Sequence, residues 1–322
     1  MALTLVEASK YSNDVLQRGI IELLVKDDPV LERLQFKDIK GNGLTYNVET
    51  TMSNAQFYDV GDTWVESSSV VTPATAFTKI LGGDADVDNF LKKTRSDQND
   101  LMGEQIDAKI KALRWAFNLQ LLYGYATTET KAFDGIQYLL RSTTYNTVTV
   151  ASVTETPAAL SLAKVEEAID MVKNGKADML LMSKALRRYI NKFLNGVGGI
   201  TKTDIQGKTV QTLFDVPVAV SDYVSNGESC DLDYNSSNYG HNYADGTGLG
   251  DDDGATSIFV LQFGPKALCG VQSLPITTEK FDKLETKDAS RVRIKWYPSI
   301  MLQSIISCAK VTGIDYDGTV VV

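Results

Sequence analysis

Met102, Ile106, Ile110, Leu113, Phe117 and Leu121 recur at intervals of four, four, three, four and four residues, which sets six apolar side chains along one helical face. A helix over about residues 96–123, at 1.5 Å per residue, is about 40 Å long, more than a compact small domain needs. Whatever this chain folds into is therefore built along a spine. Thr94 with Asp97 fits a capping box at its start, Ser96 is an alternative cap, and Gly124 suits its stop.

Ahead of the spine lie two segments with no apparent local partner. In the first forty residues, Val15, Ile20, Leu23 and Leu24 follow roughly helical spacing until Asp27-Asp28-Pro29 breaks it. Val30, Leu31, Leu34 and Phe36 then form a second short apolar patch. This is too little for a domain and reads as an arm that lies on another surface. From Leu44 to about Leu81 the character changes to strand, with Gly43–Met52 and Val70–Leu81 able to pair as an antiparallel ribbon. Its long tip, Ser53–Ser69, holds Phe57, Tyr58 and Trp64. Between Leu44 and Thr78 the ionisable residues are Glu49, Asp59, Asp62 and Glu66, with no Lys or Arg, so the ribbon carries 0 − 4 = −4. A lone two-stranded ribbon is marginal in water, so an acidic tip with three aromatics needs a basic or apolar neighbour.

After Phe133-Asp134-Gly135 and a Thr/Val stretch to about Thr156, α/β character begins. The signals are a helix Leu160–Lys173 ending at Asn174-Gly175, a strand Asp178–Met182, and a helix Lys184–Leu194 capped by Ser183. Strand-like Thr209–Val220 and Ser257–Phe263 flank a polar stretch, Ser221–Thr256, which holds Asp222, Glu228, Asp231, Asp233, Asp245, Asp251, Asp252 and Asp253 without a Lys or Arg. It reads as a solvated insertion. Arg291–Trp296 alternates charged and apolar residues, and Met301–Val311 continues as strand. No internal repeat is found.

The 322 residues predict two or three domains, and a net charge of −9 excludes a protein that condenses nucleic acid by its own charge. Cys230, Cys269 and Cys308 form no CxxC pair, and His241 is the sole histidine, so neither a zinc site nor a disulfide framework is expected. The start lacks a signal-peptide pattern, and no apolar run reaches the ~18 residues of a membrane span, which predicts cytosolic synthesis. His241 lies in the Gly/Asn/Asp-rich insertion, away from any group that would orient it as a base. Ser161/Lys164 and Ser307/Lys310 have the SxxK spacing of a Ser–Lys nucleophile but lack the companion elements. The glycines at 196–199 and 246–250 fail the dinucleotide fingerprint. Asp231, Asp233 and Asn235 begin like a calcium loop, yet Ser236 and Asn242 stand where the glycine and closing glutamate belong. Lys184, Arg187, Arg188 and Lys192 read as a solvated helix face, with contact to phosphate or an acidic neighbour as the alternative. No catalytic residue, metal or cofactor is expected.

An arm, an acidic ribbon, a long spine helix, an α/β region and a strand-rich end occur in the order of the major capsid proteins of tailed bacteriophages, whose α+β fold is named after phage Hong Kong 97. Gly43-Leu-Thr-Tyr46, Phe57-Tyr-Asp-Val-Gly-Asp62, Leu81-Gly-Gly-Asp-Ala-Asp-Val-Asp88, Phe133-Asp-Gly135, Ala177-Asp-Met-Leu-Leu-Met182 and Asp215-Val-Pro-Val218 resemble this family. The similarity spans nearly the whole chain and rests on the order of its motifs.

The resemblance implies an N-terminal arm over 1–42, an E-loop β-hairpin over 43–82, a P-domain over 83–135 and 272–322, and an A-domain over 136–271. It implies a structural subunit that self-assembles as pentamers and hexamers into an icosahedral head around double-stranded DNA, in the host bacterial cytoplasm, with separate scaffolding and portal proteins and no membrane. Interface residues would be Phe57, Tyr58, Asp59, Asp62, Trp64 and Glu66 at the E-loop tip and Val30, Leu31, Leu34 and Phe36 in the arm. Some members of the family join an E-loop lysine to an asparagine of a neighbour, but residues 43–78 here contain no lysine, so self-crosslinking is not expected. Others begin with a removable scaffolding segment, whereas Met1 here leads straight into arm-like sequence. The alternatives are an encapsulin-type shell enclosing enzymes and, from a different class, a hydrolase using Ser161 and Lys164.

Overall fold

The computed structural model describes residues 3–9, 15–25, 28–51, 55–64, 66, 70–95, 101–127, 129–141, 145–150, 157–173, 175–197, 201–205, 208–226, 228, 255–282, 284–315 and 320–321. The chain opens with β1 (Leu3–Thr4), α1 (Leu5–Ser9) and α2 (Val15–Val25), then α3 (Pro29–Arg33) and β2 (Gln35–Asp38). Asp28 does more than break a helix. Its carboxylate accepts the Val30 and Leu31 N–H groups at 3.0 and 3.2 Å, and Pro29, which has no N–H to offer, occupies the first helical position, where none is needed.

There follow β3 (Gly43–Thr51), β4 (Val70–Phe77), β5 (Leu81–Asp88), α4 (Asn89–Arg95), α5 (Leu101–Tyr123), α6 (Ile136–Leu139), β6 (Thr147–Thr149), α7 (Leu162–Asp170), β7 (Met179–Met182) and α8 (Lys184–Val197). The chain continues through β8 (Thr201–Ile205), β9 (Lys208–Leu213), β10 (Val216–Val220), β11 (Ala255–Leu261), β12 (Leu268–Phe281), β13 (Ala289–Leu302) and β14 (Ala309–Asp315). The strands form a five-stranded sheet, β1-β2-β12-β13-β5, a seven-stranded sheet, β6-β14-β11-β7-β10-β9-β8, and the isolated pair β3-β4.

The spine is α5, and Ile106, Ile110, Leu113, Phe117 and Leu121 are all buried. Its 23 residues are about 34 Å long. It lies on the five-stranded sheet through an aromatic cluster, with Phe117 4.5 Å from Trp296 and Phe36 5.5 Å from Trp296 between ring centres. Gly270 allows this approach, since a Cβ there would stand 2.5 Å from the Phe36 ring. The capping expectation is corrected in part: Thr94 lies in α4, where its hydroxyl donates to the Phe90 carbonyl at 2.8 Å, and Ser96 and Asp97 fall outside the described residues. Gly124 ends the helix because the chain pinches there. The Gly135 N–H donates to the Gly124 carbonyl at 2.7 Å, and a Cβ on Gly124 would lie 2.1 Å from the Phe133 carbonyl oxygen.

The arm also needs correction. Val30, Leu31, Leu34 and Phe36 are buried in the chain's own core, together with Ile20 and Leu24 of α2 and residues of the spine. Two polar links hold the segment there. Asn118 of α5 donates to the Asp28 carboxylate, and β2 pairs in parallel with β12, Phe36 opposite Gly270. These four side chains are not available to a neighbour.

In the seven-stranded sheet β7 is buried along its whole length. Leu180 and Met182 pack with α7 and α8 on one face, whereas Met179 and Leu181 join the core that contains the spine. Ser183 caps α8, accepting the Leu186 N–H at 3.2 Å. The single strand expected over 209–220 is a hairpin, because Phe214 and Asp215 take φ of 49° and 63° and close a two-residue turn of the I′ kind. The resemblance implies residues 272–322 in one domain with the spine. Instead β14 lies between β6 and β11, parallel to the first and antiparallel to the second. The Asp231–Asn235 and His241 readings, and most of the 221–256 insertion, lie outside the described residues.

Candidate assembly surface

The ribbon β3-β4 pairs from Gly43 opposite Phe77 to Glu49 opposite Val71, and after a one-residue bulge Thr51 lies opposite Val70. Thr and Val dominate it, and Pro73, which has no N–H to donate, is tolerated because both strands of an isolated pair are edges. Its root is held firmly. Ala76 packs with Cys269, Val271 and Met301 of the five-stranded sheet, joined by Leu44 and Tyr46, and the Thr78 and Ser273 hydroxyls lie 2.9 Å apart.

The tip is ordered by its own carboxylates. Asp62 accepts the Asp59 N–H at 2.8 Å, Asp59 accepts the Val60 N–H at 2.8 Å, and Gly61 supplies a φ of 97°. Tyr58 and Trp64 stack with ring centres 4.5 Å apart. This small structure nevertheless stands in solvent, with Phe57, Val60 and Trp64 exposed to 107, 101 and 80 %. Asp59, Asp62 and Glu66 are exposed around them. The structure thus brings the expected tip residues together and adds Val60, an apolar residue that a search for aromatics passes over.

A second polar feature was not legible in the sequence. Lys310 of β14 is buried and donates to the Gln137 carbonyl at 3.2 Å. Glu228, also buried, accepts from the Tyr123 hydroxyl at 2.5 Å and from the Ser257 hydroxyl. Burial raises the Glu228 carboxyl above its usual range and brings the Lys310 ammonium down to about 7, while their opposite charges partly offset both shifts. The network ties the end of the spine to the adjacent strands β14 and β11 of the seven-stranded sheet.

The chemistry of the SxxK pairs does not assemble. Lys164 is bound to Glu167 at 2.7 Å, and Ser307 donates to the Ser304 carbonyl at 2.7 Å, so neither serine hydrogen-bonds its lysine among the described residues. On α8, Lys184 pairs with Asp222 at 2.5 Å, while Arg187, Arg188 and Lys192 are exposed. Burial pushes the thiols of Cys269 and Cys308 up to about 11, which leaves them inert as nucleophiles. Among the described residues no three His, Cys, Asp or Glu side chains converge as metal ligands, and no helix is long and apolar enough to cross a membrane.

No curated protein matches the chain. Among solved structures it is similar to the holo-SrpI encapsulin complex of Synechococcus elongatus PCC 7942, with 14% identity, a TM-score of 0.63 and coverage of 91% of this chain and 90% of that one. It is similar to the capsid of a native GTA particle (9% identity, TM-score 0.60, 88% and 89% coverage). It also resembles a chain of Mycobacterium phage Ogopogo (14% identity, TM-score 0.58, 89% and 92% coverage). At such identities these likenesses establish the fold, the Hong Kong 97-like capsid fold. The family model of the SU10 major capsid protein matches residues 6–228, well over half the chain, and joins the fold to a role: the chain belongs to the SU10 major capsid protein family and is a structural subunit of a phage capsid.

Proposed function

We propose that the chain builds an icosahedral phage head from pentamers and hexamers, assembled in the host bacterial cytoplasm around packaged double-stranded DNA, with separate scaffolding and portal proteins. In this reading residues 43–82 serve as the E-loop. Residues 83–135 with 268–302 are the P-domain, and 136–267 with 309–315 the A-domain. The observation that carries it is the solvent-exposed tip: Phe57, Val60 and Trp64 present a preformed apolar knob that no described residue covers. Preorganisation lowers the entropy cost of docking, and many modest contacts repeated around a shell add to a stable container. The subunit works by enclosure and carries no catalytic step. A net charge of −9 suits a wall that holds DNA without gripping its phosphates.

Negative-stain electron microscopy of the expressed protein tests this directly, and closed shells are the expected result. Trp64→Ala should leave the subunit folded and impair shell formation, since loss of a large aromatic at an interface centre costs about 2 kcal/mol or more. Normal shells from this variant would remove the tip from the interface. The likeness to an encapsulin gives a second reading in which the cargo is protein; nucleic acid inside shells purified from their native source supports the phage head, and enzyme cargo overturns it.

A further inference from the structure

We infer that the outward face of α8 is where the subunit touches the phosphate backbone of duplex DNA. The inference rests on the shell reading above for its partner and names the surface that meets the packaged molecule. From residue 179 to 203 the chain carries Lys184, Arg187, Arg188, Lys192 and Lys202 and no acid, in a protein whose net charge is −9. The fold sorts these cations. Leu186, Ile190 and Leu194 are buried and fix α8 on the seven-stranded sheet, which turns Arg187, Arg188 and Lys192 to the opposite side of the helix. Lys184 is taken by Asp222. The other three are exposed, and among the described residues no carboxylate lies within ion-pair reach of any of them. Arg188 is steadied by its neighbour, its guanidinium lying 5.5 Å over the Tyr189 ring, a contact that uses the face of the group and not its N–H donors.

The character of this face separates nucleic acid from protein as its partner. A contact between proteins is built around an apolar centre depleted in charge, whereas nucleic-acid interfaces are more polar and much more positive. Among its described side chains α8 exposes no large apolar one, and its outward side is the three cations with Asn195 beside them. The ribbon tip is the reverse, apolar in the middle and acidic at its edge. Each arginine offers a planar fork that matches two phosphate oxygens, and Lys192 adds a point charge. Contacts of this kind position DNA and read no sequence. Three of them per copy let an acidic wall touch its contents without holding them fast.

The test is fluorescence anisotropy of unassembled full-length subunits with a labelled DNA duplex of arbitrary sequence. Three phosphate contacts predict a slope of log affinity against log salt of about −2.7, a loss of about fortyfold between roughly 50 and 200 mM salt. Replacing the cations together, Arg187→Gln with Arg188→Gln and Lys192→Gln, should weaken binding at the lower salt by about tenfold or more and flatten the slope. A control that removes the same charge from other exposed positions, Lys37→Gln with Lys40→Gln and Lys287→Gln, should bind within about threefold of the parent. Parent subunits without salt-dependent binding, an α8 variant that binds like the parent, or a control that loses as much as the α8 variant overturns the contact. An α8 variant that binds DNA normally yet forms no shells overturns it too, and assigns the face to a neighbouring copy. Electron microscopy of the parent decides the shell separately: subunits that bind DNA through α8 but never close into shells remove the shell reading and keep the contact.

Discussion

Residues 28–36 hold Val30, Leu31, Leu34 and Phe36 and residues 57–66 hold Phe57, Val60 and Trp64, each set in a short, partly acidic stretch, yet the first group lies in the core and the second stands in solvent. The difference comes from where their carboxylates are used. Asp28 caps α3 and also receives Asn118 of the spine, so its segment is tied to the body, and β2 completes the attachment by pairing with β12. Asp59 and Asp62 satisfy N–H groups of their own turn instead. These bonds order the turn without tying it to the body. Apolar content alone does not reveal which segment is built into the core and which is left in solvent.

Substitutions can break this contrast, and the largest effect should come from Leu31→Ala, which removes a side chain with no exposed surface. It should cost about 2–5 kcal/mol in chemical denaturation. A loss below 0.5 kcal/mol would mean the arm is not part of the core in solution. Asp28→Ala should cost about 1–2 kcal/mol by the same measurement, from the lost cap and the partner taken from Asn118. The companion change Asp62→Ala should leave the denaturation midpoint of the body unmoved.

The buried Lys310 sharpens the contrast through pH. Its proton leaves at about 7 in the folded subunit and near 10.5 in the unfolded chain. The unfolded state therefore binds the extra proton between these values, and stability rises with pH across that window, with no such contribution below 7. Glu228 acts in the opposite sense, gaining stability as pH falls toward its ordinary value of 4.5. The urea midpoint should be higher at pH 9 than at pH 7 in the parent, and Lys310→Met should flatten the difference; an unchanged slope would show that Lys310 titrates normally. A similarly small effect on folding belongs to Trp64→Ala. Its midpoint should stay within about 0.5 kcal/mol of the parent, because an exposed side chain contributes little to the monomer.

The spine and β7 were legible because periodicity and unbroken burial leave direct marks on a sequence. The ribbon was legible from its strand-forming residues, and the tip from an aromatic cluster without cations. Three things were not. Asp28-Pro29 reads as a stop and serves equally as a start, since the same pair ends one helix and caps the next. Phe214-Asp215 carries only half a turn signature, since Asp tolerates a positive φ but Phe does not favour one, and the hairpin is imposed by the pairing of β9 with β10. The burial of Val30 and Phe36, the location of β14 and the Lys310–Glu228 network all depend on contacts between residues far apart in the chain, which local patterns do not encode.

The position of β14 also sets a clock on synthesis. Residues 309–315 fill the gap between a strand made at 147–149 and another made at 255–261, so the larger sheet stays split until residue 315 has cleared the ribosome. A nascent subunit can display its ribbon long before it owns a finished body. Translation that stalls before residue 309 would leave a fragment whose exposed apolar tip is complete while its larger sheet still lacks an inner strand, a species exposed to aggregation.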